Sequence, residues 1–418
     1  MSDTIIAVEA HEILDSRGNP TIEATIVSKK GIHASAAVPS GASVGTHEAL
    51  ELRDGDTRRY RGQGVLQAVK HAQREIAEVV HGMQLTAQKE IDRAMIKADG
   101  TPNKANFGAN AILAVSLAVA RAAAISENLP LYQYLAKISG EEVGEHFPIP
   151  MMNILNGGRH ANFIIDFQEC MVLPQQHAFH ERVRAGSEIF HALGDILKKK
   201  GLSTGVGDEG GYAAALNSNA EVFDLLVQAT ESAGYNPGKD IVFGMDVAAS
   251  EFYDEKNKIY TLRRDKKNYT AKQLIKMYKK WADEYPIRTI EDGLDEDAWQ
   301  DWQTMTEELS VTLVGDDLFV TNKERLKKCI AEHVANAILI KVNQIGSLTE
   351  TLETIALAKK HSYAVAVSHR SGETADTFIA DLAVGVGAEY IKTGSLSRSE
   401  RVEKYNRLMQ IEREIVKN

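Results

Sequence analysis

The chain reads as an α/β protein, a barrel of alternating strands and helices preceded by a smaller α+β unit. Three observations predict this. From Pro148 onward, short apolar runs alternate with helical patterns. Charged residues end those runs at intervals of 23 to 28 residues across the last five of them, about the length that a strand, a helix and two loops occupy. The 418 residues exceed the ~250–300 at which one hydrophobic core stops growing, so two domains are expected.

The first forty residues predict three strands, IIAVEAHEIL, TIEATIVS and IHASAAV. They are rich in β-branched residues and separated by the turn-like DSRGNP and KKG. A Gly/Ser loop follows, in which SGASVG at 40–45 reads either as a mobile lid or as a plain hinge. Helical patterns then cover roughly Gly64 to His81, Gln88 to Ala98 and Asn106 to Glu127. Pro130 lies just past the last, where helices commonly stop. These segments make an α+β unit over 1–135 and leave 136–418 for the barrel.

The strand runs of the second part are IVFGMDVA, IRTIEDGL, VTLVGDDL, AILIKVNQI, YAVAVSHRSGE and EYIKTGSL. Between them lie TNKERLKKCIAEHVA, GSLTETLETIALAKKH and GETADTFIADLAVG, each opened by Ser, Thr, Asn or Gly and carrying apolar residues at helical spacing. Such alternation implies parallel strands covered by helices. The longer step between Asp246 and Glu291 holds KNKIYTL, a small strand, and the helical TAKQLIKMYKKWADEY.

Composition narrows the function. Apolar residues at 44% and charged residues at 25% are ordinary for a soluble globular protein. A net charge of −10 argues against nucleic acid or an anionic membrane as the main partner. An anionic substrate then needs local cations or metal ions. Cys170 and Cys329 are the two cysteines, which fits a reducing cytosol and predicts a cytoplasmic location. MSDTIIAVEAHE has no basic region followed by an apolar core, so no signal peptide is expected. The longest apolar stretch, Ala109 to Ala124, is interrupted by Asn110, Ser116 and Arg121 and is expected not to span a bilayer.

The chemistry sits at the strand ends, which converge on one face of a barrel. Asp246, Glu291 and one of Asp316 or Asp317 supply three carboxylates, the oxygen ligands a hard cation such as Mg²⁺ prefers. The plain alternative is a helix cap or an ion pair for each. Asp316 and Asp317 should face opposite ways, since strand side chains alternate. Lys341 lies in the apolar ILIKVNQI, either as a buried ion pair or as a general base. Desolvation, the nearby cation Lys392 and a bound metal would lower its pKa toward the neutral amine. Glu209 in GVGDEGG and Glu169 in DFQEC become an acid pair if they lie close, because two carboxylates sharing a site do not both ionise easily. Arg370, Ser371 and the amides of SHRSGE precede a helix and suit a phosphate. His160 and His369, taken singly, read more readily as satisfied core histidines.

Eleven strings carry a resemblance over essentially the whole chain. They are DSRGNPT, SGAS, NGGRHA, the Gln168–Glu169 pair, GDEGG, FGMD, IEDG, GDDL, LIKVNQIGS, SHRSGE and KTGS. In this order and spacing the chain resembles the enolases. That resemblance implies a TIM-like (β/α)8 barrel behind the α+β cap. It implies reversible dehydration of 2-phosphoglycerate to phosphoenolpyruvate, a glycolytic and gluconeogenic step, with two Mg²⁺ per site. Carried over residue by residue, it makes Asp246, Glu291 and Asp316 ligands of the first Mg²⁺, and Ser43 on the lid a ligand of the second. Lys341 becomes the base at carbon 2. Glu209 becomes the acid at carbon 3, with Glu169 beside it and His369 lining the pocket. His160, Gln168, Glu169, Lys341, Arg370, Ser371 and Lys392 become substrate contacts. The family also implies a homodimer or higher homo-oligomer. It leaves room for a secondary surface-binding role, at the cell surface or secreted without a signal peptide. Two positions depart from the family pattern, Val44 after Ser43 and Cys170 after Glu169. The rival readings are a racemase or cycloisomerase of the same superfamily, against which SHRSG and Glu209 speak, and a non-catalytic scaffold.

Overall fold

A computed structural model describes residues 3–41 and 47–416. Ser43 and Val44, and with them the lid and the second-metal assignment, lie outside the described residues.

The chain begins with an antiparallel meander of β1 (Ile5–Leu14), β2 (Pro20–Ser28) and β3 (His33–Ala37). The DSRGN turn between β1 and β2 closes through Asp15, whose Oδ1 accepts the amides of Arg17 and Asn19, each at 2.8 Å. One face of the meander packs on the Ala109–Ser126 helix. By length and composition that helix is apolar enough to cross a membrane, yet 83% of it is buried inside the protein. The first helical segment runs over 66–80 and contains a π-helical stretch, Ala72–Ile76. Pro130 does more than end a helix. It is the N-cap of a further one, Leu131–Ser139, which ends at Gly140 with φ 78°. That nine-residue helix is too short to show a clear period in the sequence, and it packs against Phe378–Gly385 of the barrel.

The barrel strands are β4 (Ile149–Asn156), β5 (Glu169–Pro174) and β6 (Ile241–Asp246). A small sheet of β7 (Tyr253–Asp254), β8 (Ile259–Leu262) and β9 (Lys267–Tyr269) interrupts the series. It resumes with β10 (Ile287–Glu291), β11 (Thr312–Gly315), β12 (Ala337–Ile340), β13 (Ala364–Ser368) and β14 (Tyr390–Lys392). These eight close into a barrel, β14 pairing in parallel with β4.

The expectation of parallel strands throughout needs correcting. β5 runs antiparallel to both β4 and β6. No α-helix separates β4 from β5, so the two form a hairpin. The helices Phe179–Lys199 and Glu221–Ser232 follow β5 together. Strict strand–helix alternation starts only at β10.

Strand parity organises the interior. Met151, Met171, Leu173, Val242, Val314, Ala337, Leu339, Ala366 and Tyr390 form a cluster contributed by strands alone, the filling of the barrel. Their neighbours, such as Leu313, Ile338, Ile340 and Ile391, face the helices. The cap docks beside this barrel's open end. Ser40 and Gly372 exchange backbone hydrogen bonds of 2.7 and 2.9 Å, and the Ser16 amide donates to the carbonyl of Glu373 at 2.7 Å. Gly372 has to be glycine here, since a Cβ would lie 2.3 Å from Ser40 Oγ and 2.5 Å from Asp15 Oδ2.

Candidate active site

Each inward row of the barrel ends on a polar group. Asp316 lies two residues beyond Val314, Lys341 two beyond Leu339 and Lys392 two beyond Tyr390. Period-two alternation therefore points all three along the barrel axis. Glu169 stands two residues before Met171, and because β5 is antiparallel its N-terminal end reaches the same rim. The pairing confirms this: Glu169 is in register with Asp246, and Asp246 with Glu291.

Lys392 is the hub. Its Nζ lies 3.1 Å from Glu169 Oε2, 3.1 Å from Asp246 Oδ2 and 2.7 Å from Glu291 Oε1. Burial disfavours the ammonium, but Asp246, Glu169 and Glu291 outweigh it and hold its pKa well above the ordinary value. Gln168 donates to the same Asp246 oxygen at 3.3 Å.

Lys341 pairs with Asp316 Oδ2, and Gln344 donates to Asp316 Oδ1 at 2.8 Å. The expected lowering of the Lys341 pKa is not found. Burial, Arg370 and Lys392 do push it down, but the adjacent Asp316 carboxylate prevails and raises it. The expectation that Asp316 and Asp317 diverge needs correcting: both lie past the end of β11, and their carboxylate oxygens, with one of Asp292, come within 4.8 Å of one another. Asp292, next to Glu291, accepts the amides of Asp316 and Asp317 at 2.9 Å each and braces that turn.

Asp246 and Glu291 share Lys392 and Asp316 pairs with Lys341, so the three carboxylates meet the lysines of one cavity. The carboxylates fit a hard divalent cation in donor chemistry. Glu291 Oε2 is buried without a hydrogen-bond partner among the described residues, an oxygen that a cation would satisfy.

Glu169 and Glu209 do lie close together. Ligand atoms of His160, Glu169 and Glu209 lie within 4.8 Å of one another. Burial, with the charge of Glu209, pushes Glu169 well above the ordinary carboxylate range. Burial acts upward on Glu209 as well, but His160 and His369 hold it well below. Burial and the Glu209 charge favour the protonated form of Glu169, and the two carboxyls titrate together. Asn153 donates to Glu209 Oε2 at 2.9 Å, and His369 Nε2 faces Oε1 at 3.3 Å. Burial lowers His369 to about 4, so its imidazole is neutral.

The GDEGG loop lies against KTGS. Gly210, at φ +87°, leaves a Cβ only 2.4 Å from the Ser397 carbonyl, so no larger residue fits. Arg370 is buried and bidentate to Glu48 of the cap, at 2.9 and 3.2 Å, and reaches Asn343 Oδ1 at 3.1 Å.

One cavity gathers these groups: His160, Gln168, Glu169, Glu209, Lys341, Ser368, His369, Arg370, Ser371 and Lys392 line it. Asp246, Glu291 and Asp316 pair with its lysines. Ser43 lies outside the described residues.

Sequence reasoning missed Asn153, Glu48, Asp292, Gln344 and Arg401. Asn153 had a signal, since it stands two residues past the inward Met151. Arg401 had none. On a C-terminal helix it reads as one more charge on a solvated face.

Two family models match the chain. That of the enolase C-terminal TIM barrel domain covers residues 145–418, and that of the enolase N-terminal domain covers residues 5–135.

Proposed function

The chain belongs to the enolase family, a family of lyase-type enzymes, and from that premise we propose that it interconverts 2-phosphoglycerate and phosphoenolpyruvate as a phosphopyruvate hydratase. The observation that carries this reading is one cavity lined by the inward Lys341, the carboxyl pair Glu169 and Glu209, and the anion-suited Arg370 and Ser371.

Lys341 takes the proton from carbon 2, which requires the neutral amine. Burial, Arg370 and Lys392 all favour that form, and Asp316 opposes it. Asp246, Glu291 and Asp316 would hold one Mg²⁺ and Ser43 a second, neutralising the carboxylates that keep Lys341 charged and stabilising negative charge on the substrate carboxylate. Lys392 remains an ammonium and supports the same developing charge. Glu209 delivers the proton to hydroxide leaving carbon 3, and Glu169 holds that proton in reserve. The two titrate as a unit. His160 and Gln168 orient the substrate. Arg370 and Ser371 take the phosphate, the Arg370 fork exchanging two carboxylate oxygens of Glu48 for two phosphate oxygens.

The magnitudes agree with this division. Proton transfer by positioned groups supplies ~10²–10⁴ in rate, about 3–5 kcal/mol. Enzymatic accelerations commonly need ~8 kcal/mol or more, so electrostatic stabilisation of the carboxylate must supply the rest.

The test mixes purified protein with 2-phosphoglycerate and Mg²⁺ and follows the ultraviolet absorbance of the enol product. The absorbance should rise and stop on chelation. No rise, or one that survives chelator, refutes the assignment. The family resemblance also supports a cytoplasmic homo-oligomer, which a monomer mass by light scattering would contradict.

A further inference from the structure

The C-terminal helix Ser399–Val416 sends Arg401 into the site, where its side chain is fully buried. Nη1 lies 2.7 Å from His369 Nδ1 and 2.6 Å from the Arg370 carbonyl. Nη2 lies 2.6 Å from the Ser371 carbonyl and 3.2 Å from the Asp208 carbonyl. A guanidinium only donates and stays protonated in proteins, so the Nδ1 it touches is a bare lone pair. A neutral imidazole then carries its single proton on Nε2, the nitrogen that faces Glu209 Oε1.

We propose that Arg401 is a positioning residue: its bond to Nδ1 fixes His369 as the Nε2–H tautomer, so that His369 only donates toward Glu209 and the acid's proton stays on the Glu169–Glu209 pair. This deepens the dehydratase reading and rests on Glu209 being the acid. An imidazole free at Nδ1 is a stronger base than a carboxylate by its ordinary pKa and would drain the proton from a buried carboxyl beside it. With a cation on Nδ1, imidazolium cannot form. The charges around His369 divide accordingly, Glu209 and Glu373 favouring the cationic ring and Arg401 and burial opposing it. The same guanidinium ties the carbonyls of Arg370 and Ser371 to that of Asp208, so the phosphate-suited loop and the Glu209 loop move together.

The experiment is ¹⁵N NMR of histidine-labelled protein, with His369→Gln identifying the His369 signals among the 13 histidines. The wild-type ring should show a protonated Nε2 and a bare Nδ1. Arg401→Met removes both the cation and its donors, and should bring a proton onto Nδ1. In that variant dehydration should slow ~10-fold or more, part of the ~10²–10⁴ that positioned proton transfer provides. Exchange of the carbon-2 proton at saturating substrate should stay near wild type, and the loss should vanish in a His369→Gln background. A wild-type ring protonated on Nδ1 overturns the assignment, and this reading needs no folded variant. Unchanged ring signals in folded Arg401→Met, or equal loss of dehydration and exchange, overturn it as well. The spectra need no substrate, so failure of the dehydratase reading shows separately, in the absorbance assay.

Discussion

Lys341→Ala separates the chemistry of the amine from its contribution to the fold. Losing the base should cost ~10²–10⁴ in rate, about 3–5 kcal/mol of barrier. Losing the cation strips Asp316 Oδ2 of its partner while Oδ1 keeps the Gln344 amide at 2.8 Å. Breaking a buried pair costs ~3–5 kcal/mol. The retained Gln344 bond and the 15% exposure of the Lys341 side chain place this one toward the lower end. The variant should therefore fold with a lowered melting temperature. The assay is exchange of the carbon-2 proton of 2-phosphoglycerate with D₂O, followed by NMR beside Glu209→Gln. Glu209→Gln keeps the shape of the side chain and leaves Lys341 untouched, so it should retain exchange while failing to dehydrate. Lys341→Ala should show none above background. Normal exchange in Lys341→Ala removes the lysine as base, and equal loss in both variants contradicts the split of roles.

Lys392→Met leaves Glu169, Asp246 and Glu291 without the ammonium now 2.7 to 3.1 Å from each. It should cost at least the ~3–5 kcal/mol of a broken buried pair, and Mg²⁺ should restore part of it; thermal unfolding with chelator and with Mg²⁺ checks this, and equal losses in both would count against a cation among these carboxylates. Burial and Asp316 push Asp317 up to about 8, against about 4 in an unfolded chain. The folded state then binds the extra proton between those values, so stability should fall as pH rises through that window. In chelator, Asp317→Asn should flatten the slope and converge with wild type only below pH ~4, where both states are protonated; an unchanged slope refutes the shift. Gly372→Ala drives a methyl to 2.3 Å from Ser40 Oγ. It should cost ~1–3 kcal/mol as overpacking does and raise KM through Arg370 and Ser371; wild-type melting and kinetics would show that the cap tolerates the shift.

Much of the architecture was legible because the barrel writes itself twice, as apolar runs and as the charges that end them. Runs such as AILIKVNQI and EYIKTGSL carry both signals. Other parts leave no such trace. LYQYLAKIS is a helix of nine residues between Pro130 and Gly140, too brief for a period and punctuated like a loop. Its position depends on close approach to Phe378–Gly385, a long-range fact that local propensity does not encode. Local pattern likewise could not foresee that Asp316 would outweigh burial at Lys341. The sum depends on which charges meet, and their partners are 25 residues apart.

The sharpest gap between sequence and site is Glu169. In a strictly parallel barrel, chemistry belongs at the C-terminal end of each apolar run. Glu169 opens its run, ECMVLP, so that rule would leave it at the far rim, away from Lys392. A hairpin between β4 and β5 reverses one strand and turns the apparent misplacement into a requirement. The register Glu169–Asp246 then sets two carboxylates side by side, with Lys392 Nζ 3.1 Å from each. The reversal also brings Glu169 within reach of Glu209, and crowding two acids is what holds a proton in a site otherwise dense with carboxylate. Strand direction, which periodicity does not record, is thus what brings a carboxyl pair and two lysines to one cavity.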